Sequence, residues 1–166
     1  MVIPIIGTII AGIELAKKIK ELQCTLKNET QFQVLLQETY FNSGRYWDAP
    51  GTFRPFDQLV YSCCNDDNAP TGVAGGTAFR LSLDDRTYFD FALGWTNPLF
   101  GSYKAGVVAS GSAKDAYDQS DDDGGSLISK DIFEGKDKDG NTAKFHISAA
   151  PNQRPQFVVV QVPVSE

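Results

Sequence analysis

The sequence predicts an all-β protein, a single-domain sandwich of two sheets, preceded by an amphipathic α-helix. Three observations point there. From Leu22 onward, short runs rich in β-branched and aromatic residues recur, separated by Gly, Pro, Asn and Asp. The 166 residues are 42% hydrophobic, enough for one ordinary core. Before Leu22 the apolar residues follow a helical rather than an alternating spacing. The expected organisation is one domain over 1–166, with the helix over 1–21 and the sandwich over 22–166.

The first element is "VIPIIGTIIAGIELAKKIKEL". A secretory signal carries its basic residues before the apolar core. Here Lys17, Lys18 and Lys20 follow it. A membrane-spanning helix needs about 20 apolar residues in a row, and Glu14 and Lys17 interrupt this run. At about 100° per residue, Val2, Ile5, Ile6, Ile9, Ile10 and Ile13 share one face. Leu15, Ile19 and Leu22 form a second, rotated stripe. Pro4 fits a first helical turn. Ten large aliphatics lie between Val2 and Leu22. Fully buried they supply at most about 20 kcal/mol. The segment alone admits three roles: a helix packed on a sheet, an interfacial helix, or a partner-binding helix.

Strands are then expected in order at 22–28, 31–42, 58–63, 75–83, 86–95, 105–110, 127–133, 143–149 and 156–164. Asp84–Asp85 and Asp139–Gly140 read as hairpin turns. The stretch "GSAKDAYDQSDDDGG" holds one short second helix around Lys114 to Gln119, then an acidic loop.

The net charge of −6 gives no attraction to nucleic acid. The three cysteines, Cys24, Cys63 and Cys64, lack metal-ligand spacing. They read as small buried thiols, or as a disulfide from Cys24 to one of the pair. Adjacent strand residues face opposite ways, so Cys63 and Cys64 should differ in burial. No nucleophile elbow, zinc-protease motif or phosphate-binding loop occurs. The single histidine, His146, lies in an alternating run and reads as a strand residue. "DKDGN" lacks the closing acidic ligand of a calcium loop. Asn28 opens a glycosylation sequon, "NET". No enzyme activity, cofactor or metal is expected. In "GWTNPLFGSY", large apolar residues sit in a turn-like stretch, which suggests a contact surface.

The stretches "ETYFNSG", "DQLVYSCCNDDNAPTGVAGGTAF" and "RTYFDFALGWTNPLFGSY" resemble, in order and spacing, the actinoporins. These are pore-forming cytolysins of sea anemones. The resemblance covers most of 2–109 and implies an actinoporin-like β-sandwich whose N-terminal amphipathic helix inserts into the bilayer. By resemblance, Ser43 and Tyr117 would hold a lipid headgroup. Val73 and Ala74 would line the valley beside them. Trp95, Leu99, Phe100 and Tyr103 would touch lipid, and Val2, Ile5, Ile6, Ile9, Ile10 and Ile13 would insert. The chain departs from the family in a loop poorer in Trp and Tyr, in a second-helix stretch, "DAYDQSDDDGG", without the family's tyrosine pair and with Asp121–Asp123 that would repel anionic lipid, and in lacking the arginine-glycine-aspartate motif. Fold and helix therefore carry over better than the choice of lipid.

The implied function is that of a secreted or released soluble cytolysin, which binds a lipid membrane, self-associates there and forms a pore. The rival is a glycan-binding protein like the fungal fruit-body lectins. In it Ser43, Trp95 and Tyr117 line a sugar pocket and the helix stays docked.

Overall fold

The computed structural model of the chain describes residues 20–67, 71–129, 133–136 and 142–163. The expected helix, with Val2, Ile5, Ile6, Ile9, Ile10 and Ile13, lies outside the described residues, as does the turn at Asp139–Gly140.

Among the described residues, eleven strands and one short helix follow in order. The strands are β1 (Glu21–Glu29), β2 (Gln33–Ser43), β3 (Arg45–Asp48), β4 (Gln58–Cys64), β5 (Val73–Ser82), β6 (Tyr88–Asn97), β7 (Lys104–Val108), β8 (Gly125–Ile128), β9 (Phe133–Lys136), β10 (Thr142–Ala150) and β11 (Gln156–Pro163). The helix, α1 (Ala113–Asp118), lies between β7 and β8. One sheet runs β3-β4-β1-β11-β10-β8, with β9 also pairing β10; the other runs β2-β5-β6-β7. The protein is thus an all-β sandwich. β1 and β11 pair parallel, from Thr25 opposite Gln156 to Glu29 opposite Val160.

Strict alternation makes β1 a one-sided strand: Leu22, Cys24 and Leu26 face the core. Between the sheets these meet Phe79, Phe91, Phe145 and Phe157. Tyr46 of β3 ties the two layers. Its Oη lies 2.9 Å from Thr39 Oγ1 of β2 and 2.9 Å from Thr77 Oγ1 of β5. Burial pushes this phenol up to about 12 despite the two hydroxyl partners.

β5 and β6 depart from alternation because they are covered on both sides. Gly76 of β5 pairs with Gly94 of β6, which pairs with Gly106 of β7. This row of bare backbone is where α1 rests. A Cβ on Gly76 would strike the Ala113 carbonyl, and one on Gly94 the Ala116 carbonyl and Ser120 Oγ. The neighbouring small residues Ala78 and Ala92, with Val108, pack against Ala113 and Ala116. Small residues let helix and sheet backbones approach closely.

Two sequence expectations need correction, and two open points are resolved. The 127–133 run is not one strand but the ends of β8 and β9. Cys63 and Cys64 are both fully buried. Cys63 faces the core, while Cys64 shares its face with its cross-strand partners Glu21 and Arg45, which cover it. None of the three thiols is in a disulfide, which bears out the reading of small buried thiols over a bridge from Cys24. The sequon residue Asn28 is 1% exposed, and its amide donates to the carbonyls of Phe32 and Arg54, leaving no room for a glycan.

Candidate functional site

Strand register gathers several loops at one end of the sandwich. There β1 begins opposite the end of β4, with Glu21 paired to Cys64. The end of β6 meets the start of β5, with Asn97 paired to Val73, and the end of β2 meets it too, with Ser43 paired to Ala74. A cleft of about 610 Å³ opens at this end. Its size falls within the usual range of ligand sites.

One wall of the cleft is the hairpin loop between β6 and β7. Thr96 Oγ1 accepts from the Lys104 backbone N–H at 3.0 Å and closes the neck. Gly101, at φ +113°, makes the turn. Gly72 lets the preceding segment lie against this loop: a Cβ there would come within 2.7 Å of Pro98 Cα. The loop is thereby braced, and it projects Phe100, 88% exposed, and Leu99, 38% exposed.

The opposite wall is α1 and the acidic turn after it. Ser112 caps α1, its side chain accepting from the Asp115 N–H. Tyr117 lines the cleft and its ring lies 5.7 Å from that of Tyr40. Lys114 Nζ reaches Asp118 Oδ2 at 2.8 Å, and this hydrogen bond raises the lysine pKa. The turn is pinned to β7 by paired backbone hydrogen bonds between Asp121 and Ala105 at 3.0 and 3.1 Å. That pinning places Asp122 on the cleft, which Asp118 and Lys104 also line. The floor includes Ser43 and Ala74.

Of the residues singled out in the sequence, the cleft therefore brings together Ser43, Ala74, Leu99, Phe100 and Tyr117. Tyr103 is exposed on the same loop but does not line the cleft. Val73 points into the core beneath Gly44. Trp95 is a correction: it is not in an exposed loop but in β6, fully buried. Its strand partners are Gly75 and Ala105, and its ring fills the space these small residues leave, 5.2 Å from the Phe41 ring. It contacts neither lipid nor sugar from there.

Sequence reasoning missed Asn42, Lys104, Asp118 and Asp122 as lining residues. The acidic run was visible, but only the Asp121–Ala105 bridge shows where it folds. The lining combines apolar side chains with hydroxyls, two carboxylates and one ammonium group.

No protein-family model matches the chain, and no curated protein sequence matches it. Solved structures do. The lipid binding protein Nakanori matches over 91% of this chain and 75% of its own, with TM-score 0.58 and 15% sequence identity. IP-1A from Alcaligenes faecalis matches over 93% and 99%, with TM-score 0.46 and 13% identity. The Xerocomus chrysenteron lectin XCL matches over 86% and 99%, with TM-score 0.41 and 11% identity. The likeness to Nakanori is one of fold.

Proposed function

We propose that this chain binds a lipid membrane end-on, through the cleft and the loop over 98–103, and then forms a pore through its N-terminal apolar segment. The observation that carries this reading is convergence. The cleft, the projecting Phe100 and the point where the N-terminal segment joins β1 all lie at one end of the sandwich. A large apolar side chain held out on a braced loop suits an interface between water and hydrocarbon. Nakanori, which shares the fold, is described as a lipid binding protein. Among the described residues no helix is long and apolar enough to cross a membrane. The inserting surface on this reading is the face of Val2, Ile5, Ile6, Ile9, Ile10 and Ile13, which lies outside the described residues. One amphipathic helix cannot enclose a channel, because its polar face must meet water, so several copies associate on the membrane. The protein is released in soluble form and acts without covalent chemistry.

The test is dye release from liposomes of phosphatidylcholine, of sphingomyelin and of glycolipid. Release from at least one composition is expected, and lost when Met1–Ile13 are deleted, while co-sedimentation of the truncated protein with vesicles persists. Sealed liposomes of every composition, or leakage by the truncated protein, would overturn the reading.

The lectin-like alternative has one observation in its favour: Asp118 and Asp122 make the cleft rich in hydrogen-bond acceptors, which match sugar hydroxyls. It is distinguished by free monosaccharide displacing the protein from glycolipid vesicles that never leak.

A further inference from the structure

The root of the N-terminal segment is held by two buried asparagines that the cleft does not use. Asn65, 4% exposed, takes both polar groups of the Lys20 backbone: its Oδ1 accepts from the Lys20 N–H at 3.2 Å, and its own N–H donates to the Lys20 carbonyl at 3.1 Å. Asn97, 5% exposed, donates through Nδ2 to the Glu21 carbonyl at 2.8 Å. Asn65 follows β4 in one sheet and holds Lys20, and Asn97 ends β6 in the other and holds Glu21, so the two layers grip adjacent residues. A strand end at the surface can take its hydrogen bonds from water. Burying two amides is favourable only when their bonds are made, and here those bonds converge on the chain immediately after the apolar segment. Each asparagine also adjoins the proposed membrane face. Asn97 precedes the loop that carries Phe100, and Asp66, next to Asn65, accepts from the Gly44 N–H beside Ser43.

We infer that Asn65 and Asn97 are positioning residues forming a clamp on Lys20 and Glu21, which fixes the pivot of the N-terminal segment and ties it to the contact loop. This rests on the pore reading. When the body is bound, residues upstream of Lys20 leave while β1 keeps its place in the sheet. The clamp transmits the position of the loop at the membrane to the start of the moving segment. Without it the first residues of β1 fray, and binding is no longer converted into insertion.

The experiment uses the full chain with Asn97→Asp, which replaces the donor with a carboxylate oxygen facing the Glu21 carbonyl, and with Asn65→Ala. Near-UV circular dichroism confirms that each variant folds. Trypsin cleavage after Lys20, measured without membranes, should accelerate about tenfold, the equivalent of one net hydrogen bond lost from local opening. On dye-loaded vesicles of sphingomyelin and phosphatidylcholine, and on vesicles carrying glucosylceramide, the variants should bind as the parent does. They should release dye about tenfold more slowly per bound molecule. Unchanged cleavage after Lys20 would overturn the clamp. Faster cleavage with leakage per bound molecule equal to or above the parent's would reduce the asparagines to a structural role. A parent that releases dye from none of these vesicles removes the pore reading, and the pivot with it. A parent that leaks while the variants leak equally removes the pivot alone.

Discussion

Glu38 of β2 accepts a hydrogen bond from the backbone N–H of Ala113 at 3.0 Å. The carboxylate of an edge strand thus satisfies one of the unpaired donors of the helix start. It holds in place the helix that supplies Tyr117 to the cleft. Glu38→Ala is expected to cost about 1 kcal/mol of stability and to weaken vesicle binding. Denaturant unfolding and co-sedimentation, on the same preparations, check the two effects together.

Gly94 leaves no room for a side chain. Gly94→Ala sets a methyl against the Ala116 carbonyl and Ser120 Oγ, so α1 must lift. The expected loss is about 1–3 kcal/mol, in the range of overpacked cores. Membrane association should fall with it, because Tyr117 and Ser120 move away from the cleft.

The two aromatic residues that the sequence placed together in "GWTNPLF" should behave oppositely. Trp95→Ala empties a buried site and should cost about 3–5 kcal/mol, with vesicle binding of the folded fraction unchanged. Phe100→Ala should leave the unfolding midpoint alone and weaken vesicle binding. If Phe100→Ala binds vesicles like the parent protein, the loop is not part of the binding face.

The turn between β5 and β6 carries a pH-dependent contribution. Asp84 accepts from the N–H groups of Arg86 at 2.7 Å and Thr87 at 2.8 Å, and these bonds lower its pKa below the ordinary 3.8. A lowered folded value means stability that is present above pH 3.8 and lost as the pH falls through that lowered value. Asp84→Ala should therefore be less stable than the parent at neutral pH, and the gap should close in strong acid. Urea melts across that range measure it.

The thiols offer a probe of global opening. Cys24, Cys63 and Cys64 are outside any disulfide and fully buried, and burial raises the Cys63 thiol well above its usual pKa. Ellman's reagent should find no reactive thiol in the native protein and all three in denaturant. Fast reaction of any one under native conditions would show that β1 or β4 opens locally.

The strands were legible wherever side-chain alternation met turn residues on both sides, as in β1 and β11. β3 was not, because "RYWD" is too short to show a period and is defined by its pairing with β4. Trp95 was misplaced because its burial depends on Gly75 and Ala105 lying beside it, and register between strands is not written in any one of them. In the cleft, Ser43 and Tyr117 came from family resemblance rather than from local pattern. Asp118 and Asp122 look like any solvated acidic run, and only the cleft they line, with the contact of Asp121 to Ala105, sets them apart.

The parallel pairing of β1 with β11 carries a consequence for biosynthesis. β1 sits in the middle of its sheet, between β4 and β11, and has to wait for residues 156–160 before its second edge is filled. Such a high contact order makes folding slow, since loop-closure entropy is lost before the contact is gained. Until residues 156–160 leave the ribosome, β1 keeps one unpaired edge, a template for aggregation. The nascent protein should therefore depend on chaperones until β11 has emerged and can fill that edge.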